Sequence, residues 1–323
     1  MRAVLLTVLS ACLVVAAGAA RAADVDGDSV ADDLEDRTER VLAFRGFPEE
    51  APTTLYARSS APDGADAFEV DFSRGSLTLA YFPEPTAAEP ALSVSLHFQE
   101  IVEFVDRDGD SLPGTSERGS AIDLGGVDYR PGTFERATQA DGATSTALTV
   151  VRQGVSLHVD LASRFRAAEG RPLAPVEVGI GLQVEDFPFR LQESSLALMF
   201  SVDGDAAIGA HVPPSSLTLD AAEAARSFTA DGSQAYLAWS LQATADLEPV
   251  EVGDAAPASG PGPWEFAFTY PAAERVIHAF RLGVLSEAYV EASPAPADPA
   301  PVFALSLLAV GGLVAATVWA RRR

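Results

Sequence analysis

A mainly β protein is predicted: an antiparallel β-sandwich, with a short N-terminal helix and a C-terminal transmembrane helix. Three observations carry this. From about residue 66 the apolar residues recur with period two. The runs are short and bounded by Gly, Pro and Asp. Helical spacing is confined to residues 29–46, to about 219–226, and to the apolar tail. Regular short strands of this kind favour two stacked sheets. One large sandwich or two small ones both fit residues 48–290.

Taken in order, residues 1–22 have the form of a secretory signal. One arginine opens them, an apolar run follows, and Ala20-Arg-Ala22 fits a small-residue cleavage site. Leu9-Ser-Ala-Cys12 has the form of a lipoprotein box, but Cys12 falls inside the apolar run, so it ranks second. Residues 23–47 combine an acidic loop with a helix over 29–46. Leu34, Val41, Leu42 and Arg45 supply its spacing, and Gly46-Phe-Pro stops it.

Strands are predicted around Phe68, Val70 and Phe72, then Leu77, Leu79 and Tyr81 after an Arg74-Gly75 turn. Leu92, Val94, Leu96 and Phe98 alternate next, and Ile101, Phe104 and Val105 continue the run. Further strands are predicted at 147–152, 155–161, 176–184, 196–202, 235–243, 264–270 and 276–284, with a hairpin turn at Gly154. A helix is expected at 219–226. Residues 291–301 form a Pro/Ala spacer, extended and semi-rigid. Residues 302–320 are uncharged and long enough to span a hydrocarbon core. Arg321 to Arg323 then belong on the cytoplasmic side. The expected location is the cell membrane, single-pass, with the N-terminal domain extracellular or periplasmic.

Composition limits the chemistry. The 323 residues carry 46 acids against 22 basic residues, a net charge of −24. All the acids lie between residues 23 and 300, with 17 of the arginines, so that segment carries −29. Such a surface repels nucleic acid, and no nucleic-acid partner is expected. There is no Lys, which excludes Schiff-base chemistry and a phosphate-loop lysine. There is no Asn, which excludes N-glycosylation. The single cysteine, Cys12, lies in the leader, so the mature chain has no disulfide or thiolate site. Bound metal is then the obvious source of extra rigidity.

Two twelve-residue stretches supply candidate ligands. In Asp106 to Glu117, acids stand at positions 1, 3, 5 and 12. In Asp24 to Glu35 they stand at 1, 3, 5, 9 and 12. That spacing lets one tight turn aim several oxygens at a single hard cation, with the final Glu closing the shell. The two stretches resemble the calcium loops of EF-hands, dockerins and thrombospondin type 3 repeats. They depart from the EF-hand pattern at position 6, where Ser29 and Ser111 replace Gly. The resemblance implies Ca2+ held by Asp106, Asp108, Asp110 and Glu117, with the Leu112 carbonyl. It implies a second ion held by Asp24, Asp26, Asp28, Asp32 and Glu35, with the Val30 carbonyl.

Other chemistry is weakly signalled. His97 and His158 fall in alternating strands, where a half-buried structural role is expected. Glu100 with Glu103, or Glu185 with Asp186, are candidate acid–base pairs for a hydrolase, though with so many acids such pairs arise by chance. Val202-Asp-Gly-Asp205 repeats only the start of the acidic loop and is expected to be a turn. Trp239, Phe266, Phe268 and Tyr270 are expected in the core in preference to a sugar-binding face. The function expected is calcium-stabilised surface binding, adhesion or envelope structure without catalysis, towards an extracellular ligand or envelope component. The alternative is a membrane-anchored hydrolase of polysaccharide or peptide using paired carboxylates.

Overall fold

The computed structural model describes residues 39–47, 54–110, 112–138, 144–164, 166–168, 171–210, 223–230, 232–255 and 262–285. The leader, the first acidic loop, residues 29–38 of the expected helix, the spacer, the apolar tail and the basic end lie outside them. Among the described residues the chain is mainly β, without a helix, and every strand pairing is antiparallel. None of these residues forms a helix long and apolar enough to cross a membrane.

The first sheet is built as a meander: β1 (Val41–Phe47), β2 (Thr54–Ser60), β3 (Ala67–Ser73), β4 (Ser76–Phe82) and β5 (Leu92–Phe104), with β6 (Arg118–Asp123) also pairing to β5. The chain then crosses to the second sheet through β7 (Arg130–Thr138), β8 (Thr144–Arg152) and β9 (Val155–Ala162). A small hairpin, β10 (Arg166–Ala168) and β11 (Arg171–Leu173), precedes β12 (Glu177–Glu185). Strand β13 (Ser195–Gly204) returns to the first sheet beside β5. The second sheet is extended by β14 (Ala207–Ala210), β15 (Glu223–Ala230), β16 (Ser233–Ser240), β17 (Gln242–Ala245) and β18 (Glu248–Glu251). Strands β19 (Gly253–Ala255) and β20 (Trp264–Pro271) complete the first sheet, and β21 (Arg275–Leu285) inserts between β12 and β16 in the second.

The period-two pattern explains how the two sheets meet. In β4 and β5, Leu77, Leu79, Leu92, Val94, Leu96 and Phe98 are buried, while the residues between them are only part-buried. Both sheets turn such faces to one shared core. Its centre is aromatic. Phe200 of β13 stacks on Phe266 at 5.1 Å and on Phe280, from the opposite sheet, at 6.0 Å. Trp239 lies 5.4 Å from Phe268, and Phe228 lies 5.4 Å from Trp264. Stacked and tilted pairs of this kind add about 0.5–1.5 kcal/mol each beyond the area they bury.

The described ends of two expected helices are corrected. Residues 41–46, expected as the end of a helix, belong to β1, which pairs antiparallel with β2 from Val41↔Ser60 to Phe47↔Thr54. Leu42 is buried, Phe44 packs on the core and Val41 is 58% exposed, an alternation that suits a strand. Residues 223–226 are likewise strand: β15 pairs with β16 along its whole length. Residues 219–222 lie outside the described part. In both places tertiary pairing overrides a weak helical spacing.

Two glycines are required by close approach. At the β3–β4 turn, Arg74 and Gly75 both have positive φ, the geometry of a two-residue hairpin. A Cβ on Gly75 would sit 2.2 Å from the Leu124 carbonyl oxygen. At Gly283 a Cβ would sit 2.5 Å from the Tyr236 ring, which lies across β21 so that its hydroxyl donates to Glu177. Gly283→Ala should therefore displace Tyr236 and destabilise the fold by about 1–3 kcal/mol. Denaturant unfolding of the two proteins checks this, and an unchanged midpoint would refute it.

Candidate functional site

Strand β5 runs straight into the acidic loop, and the loop returns into β6. The Val105 N–H donates to the Glu117 carbonyl at 3.0 Å and closes the neck. Inside, each aspartate folds the backbone around itself. Asp106 Oδ1 accepts from the Gly109 N–H at 2.8 Å, Asp108 Oδ1 from the Asp110 N–H at 3.3 Å, and Asp110 Oδ1 from the Leu112 N–H at 2.8 Å. Gly109 takes a positive φ within this run of turns. Glu117 is buried. Its Oε1 accepts from the Arg107 N–H at 2.7 Å and its Oε2 from the Gly114 N–H at 3.1 Å.

The result is a convergence of hard oxygens. One carboxylate oxygen from each of Asp106, Asp108 and Glu117 lies within 4.8 Å of the others. Two oxygens on opposite sides of a Ca2+ ion at 2.3–2.6 Å are about 5 Å apart, so the trio fits around one such centre. These three residues could hold a metal ion. Asp110 and Leu112, expected as further ligands, are in the same loop, but Asp110 is not part of the trio, and the Leu112 carbonyl accepts from the Gly114 N–H. Asp24, Asp26, Asp28, Val30, Asp32 and Glu35 lie outside the described residues.

The electrostatics carry the mark of crowded like charge. For Asp108 the Asp110 N–H favours the ionised form. Desolvation and the neighbouring Asp110 and Glu117 charges outweigh it, and the carboxyl is raised above its ordinary value. Arg107, within the loop, turns its guanidinium to the Ser116 carbonyl. A cation among these oxygens would relieve that repulsion.

Immediately below the loop lies a carboxylate that the spacing argument missed. Glu103 is fully buried in β5, at the irregularity in the β5–β6 ladder between Val102 and Phe104. Its oxygens accept from the backbone N–H groups of Ser120, Arg190 and Leu191 and from the Ser194 hydroxyl, at 2.6–3.0 Å. Burial pushes its carboxyl up, but the four donors together hold it below the usual carboxylate value. It ties the 190–194 segment to the strand pair that carries the acidic loop. A signal was present in the sequence: one charged side chain inside the apolar run 101–105.

The remaining candidates separate. Glu103 is spent on its donors, while Glu100 pairs with Arg118 at a partly exposed position. Glu185 accepts from Gln183 and lies 3.3 Å from Arg275. His97 and His158 are half-buried, bonded across strands to Ser76 and Thr149 at 2.9 Å. His278 is buried between the Tyr270 hydroxyl at 2.8 Å and the Ser240 carbonyl at 2.9 Å. A carbonyl only accepts, so Nε2 carries the proton and Nδ1 accepts from Tyr270. His211 lies outside the described residues. Trp239, Phe266, Phe268 and Tyr270 are all in the core, as expected. Val202, Asp203 and Gly204 end β13, with the Gly204 N–H bonded to Asp203.

A comparison with protein-family models gives no match, and none of the curated proteins matches the chain.

Proposed function

We propose that the chain is a membrane-anchored, non-enzymatic β-sandwich ectodomain stabilised by calcium, working in surface binding, adhesion or envelope structure. The observation that supports it best is the convergence of Asp106, Asp108 and Glu117 at the junction of β5 and β6. The donors are all carboxylate oxygens, the chemistry that calcium prefers. The ion would neutralise the clustered charges and fasten the end of one strand to the start of the next. Affinity of order 10⁻⁴ to 10⁻³ M is expected, as for extracellular modules. The first acidic loop, Asp24 to Glu35, would hold a second ion. The leader and the apolar tail from Val302 to Ala320 support export and anchoring.

The test is the thermal midpoint of the full-length chain in mild detergent, titrated with calcium and, separately, with magnesium. A ligand that binds only the folded state at ~100 times its dissociation constant adds about 2.7 kcal/mol. A calcium-selective rise that shrinks in Asp106→Ala and again in Asp24→Ala is the expected result. An equal rise with magnesium, or none, would remove calcium from the proposal.

A further inference from the structure

A groove opens where three turns meet at one end of the sandwich: the β12–β13 connection, the β17–β18 turn at Asp246 and the β20–β21 turn at residues 272–274. Hydrogen bonds lace these turns together. The Asp186 N–H donates to the Glu274 carbonyl at 3.0 Å, and the Asp246 N–H to the Arg275 carbonyl at 2.9 Å. The Asp246 carboxylate accepts from the Glu274 and Arg275 N–H groups at 3.3 and 2.9 Å. The cavity between the turns measures about 710 Å³, within the range of ligand sites, about 300–1,000 Å³.

Its lining divides by chemistry. Phe187 is buried, and Phe189, Leu191 and Ala273 are half-buried, which makes an apolar floor. The two rings meet edge to face at 5.0 Å. Asp186, Glu193 and Glu274 are exposed, and with Asp246 they rim that floor. Among the described residues the Asp186, Glu193 and Glu274 carboxylates form no hydrogen bond or ion pair, and no basic residue lines the groove. Nor do these acids converge as metal ligands do: among the described residues the one such convergence is Asp106, Asp108 and Glu117. Separated carboxylates around an aromatic floor fit a cation that is broad and partly apolar. The backbone is also strained here. Asp186, Glu193 and Asp246 all hold positive φ, as does Leu247, the next residue of the β17–β18 turn. A leucine in the left-handed region is an outlier, and at 80% exposure it buries little in return. Such strain collects at ligand clamps.

We propose that this groove takes an arginine side chain from a partner protein. The guanidinium would lie on the Phe189 ring, whose π face attracts a cation. Its planar fork of N–H donors would spread over the Asp186, Glu193 and Glu274 carboxylates, which a compact ammonium could not reach together. The arginine methylenes would cover Leu191 and Ala273, as long cationic side chains do on apolar surface. The net charge of −24 steers a basic partner in and repels an acidic one. This rests on the binding role proposed above and gives it a partner class, and it does not involve the acidic loop.

The experiment follows the backbone amide NMR shifts of the isotope-labelled full-length chain in detergent, with a calcium chelator present. The probes are acetyl-Ala-Arg-Ala-amide and the same tripeptide with Lys or Gln at its centre. The arginine peptide is expected to saturate at concentrations on the order of millimolar, with shifts centred on residues 186–194 and 272–274. The lysine peptide should bind at least ~threefold more weakly, and the glutamine peptide should not bind. Glu193→Gln combined with Glu274→Gln should weaken the arginine peptide ~tenfold without lowering the thermal midpoint, since neither carboxylate holds a partner in the fold. Glu89→Gln, in the β4–β5 connection at the far end of β5, removes the same kind of charge and should leave binding as it is. Shifts that fail to saturate, or that spread over the whole surface, mark diffuse attraction to an acidic chain and overturn the proposal. So do equal binding of the lysine peptide, which marks a general cation site, and a double variant that binds as Glu89→Gln does. None of these outcomes bears on the calcium-dependent midpoint, so the two proposals fail separately.

Discussion

Glu103→Gln is expected to destabilise the protein by about 3 kcal/mol, because hydrogen bonds to a buried charged group contribute about 1.5–3 kcal/mol each and do not sum. An ionised carboxylate only accepts, and four donors are aimed at Glu103. An amide keeps the size but replaces one acceptor oxygen with an NH2 group. That group would face N–H donors from Ser120 or from the 190–191 backbone. Moving the carboxylate out of water costs several kcal/mol per ion. The bonds prevail here, since the carboxyl is held below its usual value despite burial. Urea unfolding measures the effect: the midpoint should fall with an unchanged slope, and the Leu191 and Ser120 amides should exchange faster. A loss below about 1 kcal/mol would mean that the clamp contributes little.

The same residue gives a pH dependence with a definite sign. The folded-state pKa of Glu103 is lowered from 4.5, so the folded form takes up a proton less readily than the unfolded chain. Its contribution is complete above pH 4.5 and is lost as the pH falls through the lowered folded value. The wild-type chain should therefore lose stability on acidification that Glu103→Gln does not lose. The gap between the two midpoints should stay constant above pH 4.5 and narrow as the pH falls below it. A constant gap would place the effect in packing alone.

What the sequence makes legible follows from where each stabilising partner lies. Strands β3, β4 and β5 announce themselves because Phe68, Val70, Phe72, Leu77, Leu79 and Leu92 to Phe98 alternate and are buried. Strand β2 does not, since its inward positions are Leu55, Ala57 and Ser59, only one of them large and apolar. Strand β7 is exposed almost throughout and exists through its pairing with β8. Strand β1 carries a helical spacing by itself, and the strand that it pairs with, β2, gives no signal of its own. At the site, the acid spacing of residues 106–117 is local and could be read directly. The Glu103 clamp could not, because two of its donors lie 87 and 88 residues further along.

The second large effect is expected at the other end of the meander, where Arg40 and Asp66 form a buried ion pair at 2.7 Å. Arg40 also donates to the Ser59 hydroxyl at 2.9 Å and to the Ser59 carbonyl at 3.2 Å, and it lies 5.4 Å from the Phe68 ring. Tyr81 donates to the other oxygen of Asp66 at 3.2 Å. Arg40→Met should cost about 3–5 kcal/mol, because it leaves the Asp66 charge buried without its cation. The double change Arg40→Met with Asp66→Leu should recover most of that loss, since it removes both desolvated charges together. A double-mutant cycle by urea unfolding decides it. A double variant as unstable as Arg40→Met would show that Asp66 is not the source of the cost. Recovery would mean that the pair adds little net stability and serves position instead. The Arg40 N–H already donates to the Ser163 carbonyl at 2.8 Å, and Arg164 holds Glu39 at 2.9 Å. Together these contacts fix where the chain enters β1, against the strand end of the opposite sheet.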